Sequence, residues 1–374
     1  MRDQEPAYFI EELNAWALTR FEDIWQASLN KTHFTAVHGT SPEALLLDEN
    51  LPPRVFLFMD PPAHRHHRNL IAQPYTPAGV STLEESIRAT TRDELAPLLA
   101  QGELDVYRLA SRVALRTIAG YIGLSFEQIT HIRALIDAFY HREPGHRGTT
   151  PAGLAAFEKA AHYIHQLVED CRRHGAPASS HIDAWLRADI DGEPMSDEAI
   201  FFSVFALVIT GSDTLPLTVA ATLYYLSQQP EAMREVRENP ALTANAFAEA
   251  ARLDQPTNIL GRVLTDDLEL HGKILHKGQA VLFLYASANR DEREFDRPDT
   301  YQLHRQARRN LSFGAGLHFC LGQHLAKLEG RVILEELFAN LGDFQVNRDG
   351  SRRIFGEFLQ GFNYLPVTFT PTTR

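Results

Sequence analysis

Phe313-Gly314-Ala315-Gly316-Leu317-His318-Phe319-Cys320-Leu321-Gly322 puts a sulfur behind a loop that two glycines can bend tightly. Glycine reaches backbone angles that other residues avoid, and it lets the chain lie close against a flat ligand. Downstream, Leu321, Leu325, Leu328, Val332, Leu337 and Leu341 form an apolar stripe at helical spacing. Cys320 therefore stands just before or at a helix N-terminus, where the dipole and free N–H groups favour thiolate over thiol. A thiolate so placed is a good axial ligand for haem iron. The other cysteine, Cys171, has no such setting and reads as a small buried hydrophobe.

The pattern Phe-Gly-x-Gly-x-His-x-Cys-x-Gly resembles the haem-binding loop of the cytochrome P-450 family of haem-thiolate monooxygenases, soluble bacterial type. A chance match at its fixed positions is on the order of one in a million at average residue usage. The resemblance runs from Pro6 to Phe369. It implies a mainly α fold with a minor β region, forming a single haem-thiolate catalytic domain over residues 1–374. Haem b would lie between a helix carrying Asp213 and the loop carrying Cys320, its metal ligand, with Phe313 beside it. The implied reaction inserts one oxygen atom from O2 into an apolar small molecule, by hydroxylation or epoxidation. Electrons would come from a ferredoxin and ferredoxin reductase chain. A haem-thiolate peroxygenase or rearranging enzyme is the alternative. A haem-based sensor is a third reading, against which Asp213 and Thr214 argue, because binding alone needs no proton relay.

Bulk properties agree with a soluble enzyme. The chain has 374 residues, 44% hydrophobic and 22% charged, enough for a large core. Two distant cysteines give no disulfide framework and point to a reducing compartment, so a cytoplasmic location is expected. A net charge of -12 without a basic stripe disfavours nucleic acid as a partner. Met1-Arg2-Asp3-Gln4-Glu5 lacks the apolar core of a signal peptide.

Along the chain, Ala7 to Thr19 reads as two short strands around the turn Glu11-Glu12-Leu13-Asn14, followed by a helix from Arg20 to Leu29. This resembles the family's first sheet, ahead of which members carry a further segment; here a leading helix is missing or trimmed. His33 to Met59 is irregular, with Gly39, Pro42, Pro52 and Pro53. The resemblance makes it a cover over the substrate pocket; a surface connector is the plainer reading. His64 and Arg68 are four apart on one helix face after Pro61 and Pro62, where two donors can clamp a carboxylate. In the family that spacing holds haem propionates. A metal site on the same histidines is disfavoured by the interleaved Arg65 and Arg68. From Leu83 to Gly175, helical runs alternate with breaks at Gly102, Gly123 and Gly145 to Pro151. Leu109, Val113, Leu115, Ile118 and Ile122 read as core, and Arg142 to Thr150 as a lid-like loop or a linker.

Between Glu198 and Glu231 the only charge is Asp213. Length and the interruption at Thr210-Gly211-Ser212-Asp213-Thr214 argue for a buried core helix rather than a membrane span. That interruption resembles the family's oxygen-activation motif. By residue type, Thr214 can steady a water and Asp213 can relay protons, which is positioned acid catalysis. The plainer alternative is a core Thr beside an Asp in an ion pair. Pro216 lacks the N–H that would reach the Ser212 carbonyl, so a kink with unpaired carbonyls is expected beside the motif.

Glu249 and Arg252 share a helix face, and the resemblance makes them a buried structural pair joined by Arg305. Strands are expected at Asn258 to Val263 and Gln279 to Ala286. The resemblance implies that Arg262 and His318 hold propionates. It places Ala206, Ile209, Thr210, Asn258, Ile259, Leu260 and Phe362 at the substrate, where an apolar terpene or steroid is expected and a fatty acid or aromatic also fits. Arg305, Arg308, Arg309, Lys327 and Arg331 lie around the cysteine loop and suggest docking of an acidic partner, with a merely solvated face as the alternative.

Overall fold

The computed structural model describes residues 1–46, 55–141, 143, 148–190 and 192–371. A hairpin of β1 (Ala7–Ile10) and β2 (Ala15–Leu18) leads to α1 (Phe21–Leu29), β3 (Phe34–Thr35) and α2 (Pro42–Leu46). Helices α3 (Ala63–Asn69), α4 (Pro77–Ser81) and α5 (Glu84–Leu99) follow. After β4 (Glu103–Asp105) come α6 (Val106–Ile122), α7 (Phe126–Phe139), α8 (Pro151–His174) and α9 (His181–Leu186). The short strands β5 (Asp189–Ile190) and β6 (Glu193–Pro194) precede α10 (Asp197–Ser212), α11 (Thr214–Leu226), α12 (Pro230–Glu238) and α13 (Thr243–Leu253). Next are β7 (Ile259–Leu264), β8 (Leu268–Leu270), β9 (Lys273–Leu275), β10 (Ala280–Leu284) and α14 (Tyr285–Ala288). The chain closes with α15 (Gln323–Asn340), β11 (Leu341–Val346), β12 (Arg352–Phe355), β13 (Gln360–Tyr364) and β14 (Pro366–Pro371). The mainly helical architecture with minor sheets is the one expected.

Local chemistry sets several boundaries. Ser125 and Gln128 form a reciprocal capping box at the start of α7. Thr150 caps α8 with Pro151 in its first turn, where a missing N–H costs nothing. Thr150 closes the stretch read as a lid; residues 142 and 144–147 of that stretch lie outside the described residues, as do residues 47–54 of the expected pocket cover. The described part of the cover lies against the sheet, where the Gly261 amide donates to the Thr40 carbonyl at 2.7 Å.

The largest sheet has the order β1-β2-β10-β7-β3, with β10 parallel to β2 and antiparallel to β7. Its inner face packs with α1 into one apolar cluster that includes Phe21, Phe283, Leu311 and Ala315. A larger cluster joins the helices from α5 to α15. Leu311 and Ala315 belong to the first cluster, whereas Phe313, Leu321 and Leu325 pack into the second. The loop bearing Cys320 thus sits on the seam between them.

Asp197–Leu226 is one helical run long and apolar enough to cross a membrane, and most of it is buried within the fold. It breaks at Asp213 (φ -98, ψ -47), where Pro216 offers no N–H to the Ser212 carbonyl. The kink expected from the sequence is present.

The Glu249 carboxylate accepts from Arg252 at 2.7 and 2.8 Å and from Arg305 at 2.9 Å. Arg252 also donates to the carbonyls of Asn289 and Pro298, at 2.7 and 2.8 Å. Asn289 in turn accepts from the Leu311 amide at 2.9 Å. The fork therefore ties α13 to the segment leading into the cysteine loop. Removing one member would strand a buried charge, at about 3–5 kcal/mol.

Candidate active site

Gly314 (φ 70) and Gly316 (φ 68) give the cysteine loop its left-handed turns. At Gly316 a Cβ would come within 2.1 Å of the Ser28 carbonyl oxygen at the end of α1, so only glycine fits. The Cys320 amide donates to the Phe313 carbonyl at 2.9 Å and closes the loop. Helix α15 starts at Gln323, so Cys320 lies just ahead of it, as expected. The Gly322 amide donates to the sulfur.

The expectation that this setting lowers the thiol pKa needs correction. Burial pushes the Cys320 thiol up, against the Gly322 amide and the Arg68 guanidinium, which pull it down. Cys320 is accessible to a water-sized sphere, yet protein surrounds it on nearly every side. Its open face therefore looks onto an interior space. A metal cation is what would hold such a buried sulfur as thiolate.

Four of the expected residues converge near it. His64 is 2% exposed, and neither ring nitrogen has a hydrogen-bond partner. Nε2 of His318 is likewise unpartnered, and the two rings lie 4.7 Å apart. Burial pulls His64 down to about 4 and His318 down to about 2, helped by Arg68 and Arg262. Arg68 donates to the Phe319 carbonyl at 2.7 Å and Arg262 to the Gly261 carbonyl at 2.6 Å. Neither guanidinium pairs with a carboxylate among the described residues. Asp60 is near enough to influence His64 and Arg262, but it accepts from Thr35 Oγ1 at 2.5 Å and the Ala36 amide at 3.2 Å. Buried donors without acceptors are costly. This group fits an anionic ligand carrying carboxylates, and with the thiol beside it the donor set suits haem.

The distal helix presents one accessible stripe. From Ala199 to Leu223, only Phe202, Ala206, Thr210, Gly211 and Thr214 escape full burial. They recur at helical spacing. Ala206 and Thr210 are thus on the open face, whereas Ile209 is buried at 7% exposure and off it. The Thr210 hydroxyl turns back and donates to the Ala206 carbonyl at 2.8 Å. Gly211 is required by packing: a Cβ would meet Ile118 of α6 at 2.4 Å. The Thr214 hydroxyl has no hydrogen-bond partner among the described residues.

Asp213 is paired, with a residue the sequence did not reveal. Arg133 of α7 donates to its carboxylate and, at 3.0 Å, to Ser212 Oγ. Arg133 also donates to the exposed Asp137 at 2.8 Å. Burial still pushes the Asp213 carboxyl up to about 6, the guanidinium opposing. A lone acid in an apolar run demands a partner, but nothing in the chain says which of many arginines supplies it.

On the opposite wall, Asn258 is fixed by Phe358 and Gly356 of the last hairpin, at 2.8 and 3.0 Å. Ile259 and Leu260 open β7 beside it, both half-buried. Phe362 lies back from the hairpin tip, its ring 4.2 Å from Tyr224 and 4.3 Å from the Arg353 guanidinium. The hairpin residues next to Asn258 are Phe358 and Leu359.

The basic patch also shrinks. Arg305 is committed to Glu249, Arg309 to Glu22 and Glu294, and Arg331 to Glu84 and Glu335. Arg308 and Lys327 remain exposed.

Residues 152–358, which include the distal helix and the cysteine loop, match the family model Cytochrome P450. The chain belongs to the cytochrome P450 family. Putative cytochrome P450 123 of Mycobacterium tuberculosis is 33% identical over 98% of this chain and 92% of its own length. Linalool 8-monooxygenase of Pseudomonas putida is 26% identical over 99% of this chain and 94% of its own. The crystal structure of the hydroxylase HmtN, involved in himastatin biosynthesis, superposes with a TM-score of 0.86 at 25% identity, covering 99% of this chain and 95% of that one. This P450 is accordingly a haem-thiolate monooxygenase, an oxidoreductase by class.

Proposed function

We propose that this P450 inserts one oxygen atom from O2 into an apolar small molecule of terpenoid or steroid-like shape. The whole chain, residues 1–374, acts as a single catalytic domain. Cys320 ligates the iron of haem b, and His64, Arg68, Arg262 and His318 hold its propionates. The observation that carries this reading is the set of buried donors without carboxylate partners beside a buried thiol. Haem held through Cys320 would supply the oxygen-activating chemistry.

The chain's own residues do the rest. Thr214 Oγ1, without a hydrogen-bond partner among the described residues, holds a water where a proton is needed. Asp213 supplies that proton, and a carboxyl near 6 can both carry and release one at neutral pH. Arg133 positions it and links it to exposed Asp137. Ala206 and Thr210 shape the pocket from α10, and Asn258, Ile259 and Leu260 from β7. The guest is apolar because these groups are apolar or turned away from the pocket; the similarity to linalool 8-monooxygenase supports a terpenoid. Electrons come from a ferredoxin-type partner, in the cytoplasm.

The test is spectroscopic. Haem-loaded protein, reduced under carbon monoxide, should give a thiolate-type spectrum that Cys320→Ser abolishes. An imidazole-type spectrum in the unmodified protein would overturn the assignment. Titrating terpenoids, steroids and fatty acids against the haem spectrum, read as displacement of iron-bound water, decides the substrate class.

A further inference from the structure

A groove of about 700 Å³ opens between α12 and β11. None of the residues lining it belongs to the haem or substrate sites assigned above. Its floor is apolar, made by Leu226 at the end of α11, Met233 of α12, and Phe344 and Val346 of β11. Leu226 is buried, and the other three are half-buried against the helical core. Its rim is cationic. Arg234, Arg237 and Arg348 stand around it, with Glu238 as the one acid among the described lining residues. All three arginines are exposed, and none pairs with a carboxylate among the described residues. Glu235, between two of them in sequence, is held by His304 at 2.8 Å.

Arg237 is fixed over the floor. Its Nη2 donates to the carbonyls of Leu341 and Gly342 at 3.2 and 2.7 Å, and its guanidinium carbon lies 5.5 Å from the centre of the Phe344 ring. Both bonds use one nitrogen, so Nη1 and Nε keep their donors for a ligand. Three such cations reverse the local sign in a chain of net charge -12. Exposed apolar surface is stabilised by being covered, and guanidinium groups match the geometry of a carboxylate. A ligand that answers both has an alkyl chain with a carboxylate at one end. Size separates this from a protein partner. Pockets of roughly 300–1,000 Å³ suit small molecules, whereas a stable protein contact covers a patch of about 800 Å² on each side.

We propose that this groove is a second binding site, for a free alkyl carboxylate. The chain lies on Leu226, Met233, Phe344 and Val346, and the carboxylate sits among Arg234, Arg237 and Arg348. The molecule held here is not the one being oxidised, so the site stands apart from the haem and substrate assignments.

The chain has four methionines, and Met233 is the one in this groove, so an isotope label on the methionine methyl groups reads the site directly. Met59 and Met195 line a separate cavity and serve as internal references. The haem-loaded full chain, so labelled, is titrated with laurate below its micelle concentration and followed by NMR, with Met233→Leu identifying the resonance. The haem spectrum of the same samples reports any laurate that enters the substrate pocket. The Met233 resonance should shift and saturate. Arg234→Gln combined with Arg348→Gln should weaken that saturation about ten-fold. Dodecanol, with the same chain and no charge, should bind the parent about ten-fold more weakly than laurate and the double variant as well as it binds the parent. A Met233 resonance unmoved by laurate would overturn the proposal, as would equal affinity for dodecanol, which also decides the matter should the double variant fail to fold. A response to butyrate as strong as to laurate would leave the floor without a role and overturn it too. A shift shared by all the methionines, or seen only above the micelle concentration, would be adsorption and no site. A Met233 shift that follows protein concentration without laurate would give the groove to a second copy of the chain instead.

Discussion

Glu329 of α15 is buried at 3% exposure, one carboxylate oxygen unpartnered and the other beside Thr117. Thr117 already donates its single proton to the Val113 carbonyl at 3.2 Å. Burial pushes the Glu329 carboxyl up to about 8, against the Thr117 hydroxyl, which pulls it down. Its folded pKa is raised, so its stabilising share is present below the ordinary carboxylate range and is lost as pH rises through 8. Glu329→Gln keeps the shape and cannot ionise. Between pH 5 and pH 8 the parent should lose stability relative to Glu329→Gln, on the order of a few kcal/mol at most. Urea unfolding at the two pH values measures it, and parallel profiles would refute the neutral acid. Thr214 carries the second prediction at this scale. Its hydroxyl has no hydrogen-bond partner among the described residues, so Thr214→Ala should leave folding and haem uptake unchanged. Product formed per electron pair should fall several-fold, with peroxide in its place, if that oxygen steadies a proton donor worth 10²–10⁴ in rate. Equal coupling in the two proteins would remove the role.

At the scale of elements, the break between α10 and α11 follows from one residue. Pro216 leaves the Ser212 carbonyl without its helical donor, and Asp213 departs from the helix there. Pro216→Ala should restore that donor, draw Asp213 back into the helix and loosen its contact with Arg133. Coupling of electrons to product should drop while the carbon monoxide spectrum stays unchanged; unaltered coupling would show that the break is packing alone. This break and the cysteine loop were legible in the chain, because each depends on residues within a turn or two or on a strongly constrained motif; the Glu249–Arg252–Arg305 fork was legible only through the family resemblance, since Arg305 lies far from Glu249 in sequence. What was not legible depends on tertiary choice. Arg133 as the partner of Asp213 could not be read, since α7 meets α10 only in the folded molecule. Which hairpin residues meet Asn258 could not be read either, because strand register decides it. The upward push on the Cys320 thiol was not legible, because burial, which outweighs the Gly322 amide and the Arg68 guanidinium, is settled only by the fold.

Across the whole molecule, a net charge of -12 repels an acidic electron donor unless a local basic face overcomes it. Counting arginines overstated that face, since Arg305, Arg309 and Arg331 are neutralised within the fold. Of the five cations read around the cysteine loop, Arg308 and Lys327 stay exposed and uncommitted to a carboxylate among the described residues. Rim charges act chiefly on encounter rate and are screened by salt. Reversing Arg308 and Lys327 together to Glu should therefore slow reduction by a ferredoxin about ten-fold at low ionic strength. The deficit should shrink as salt rises, because charges beyond about 10 Å are screened at 0.1 M. Arg331→Gln serves as the contrast. It removes a cation from the same region of sequence but breaks contacts to Glu84 and Glu335, so it should lower unfolding stability and leave the reduction rate and its salt slope near the parent's. Stopped-flow reduction across a salt series separates the two. If Arg331→Gln slowed reduction as much as the double reversal, the docking face would extend beyond the exposed cations. If neither changed the rate, electron entry would lie on another side of the molecule.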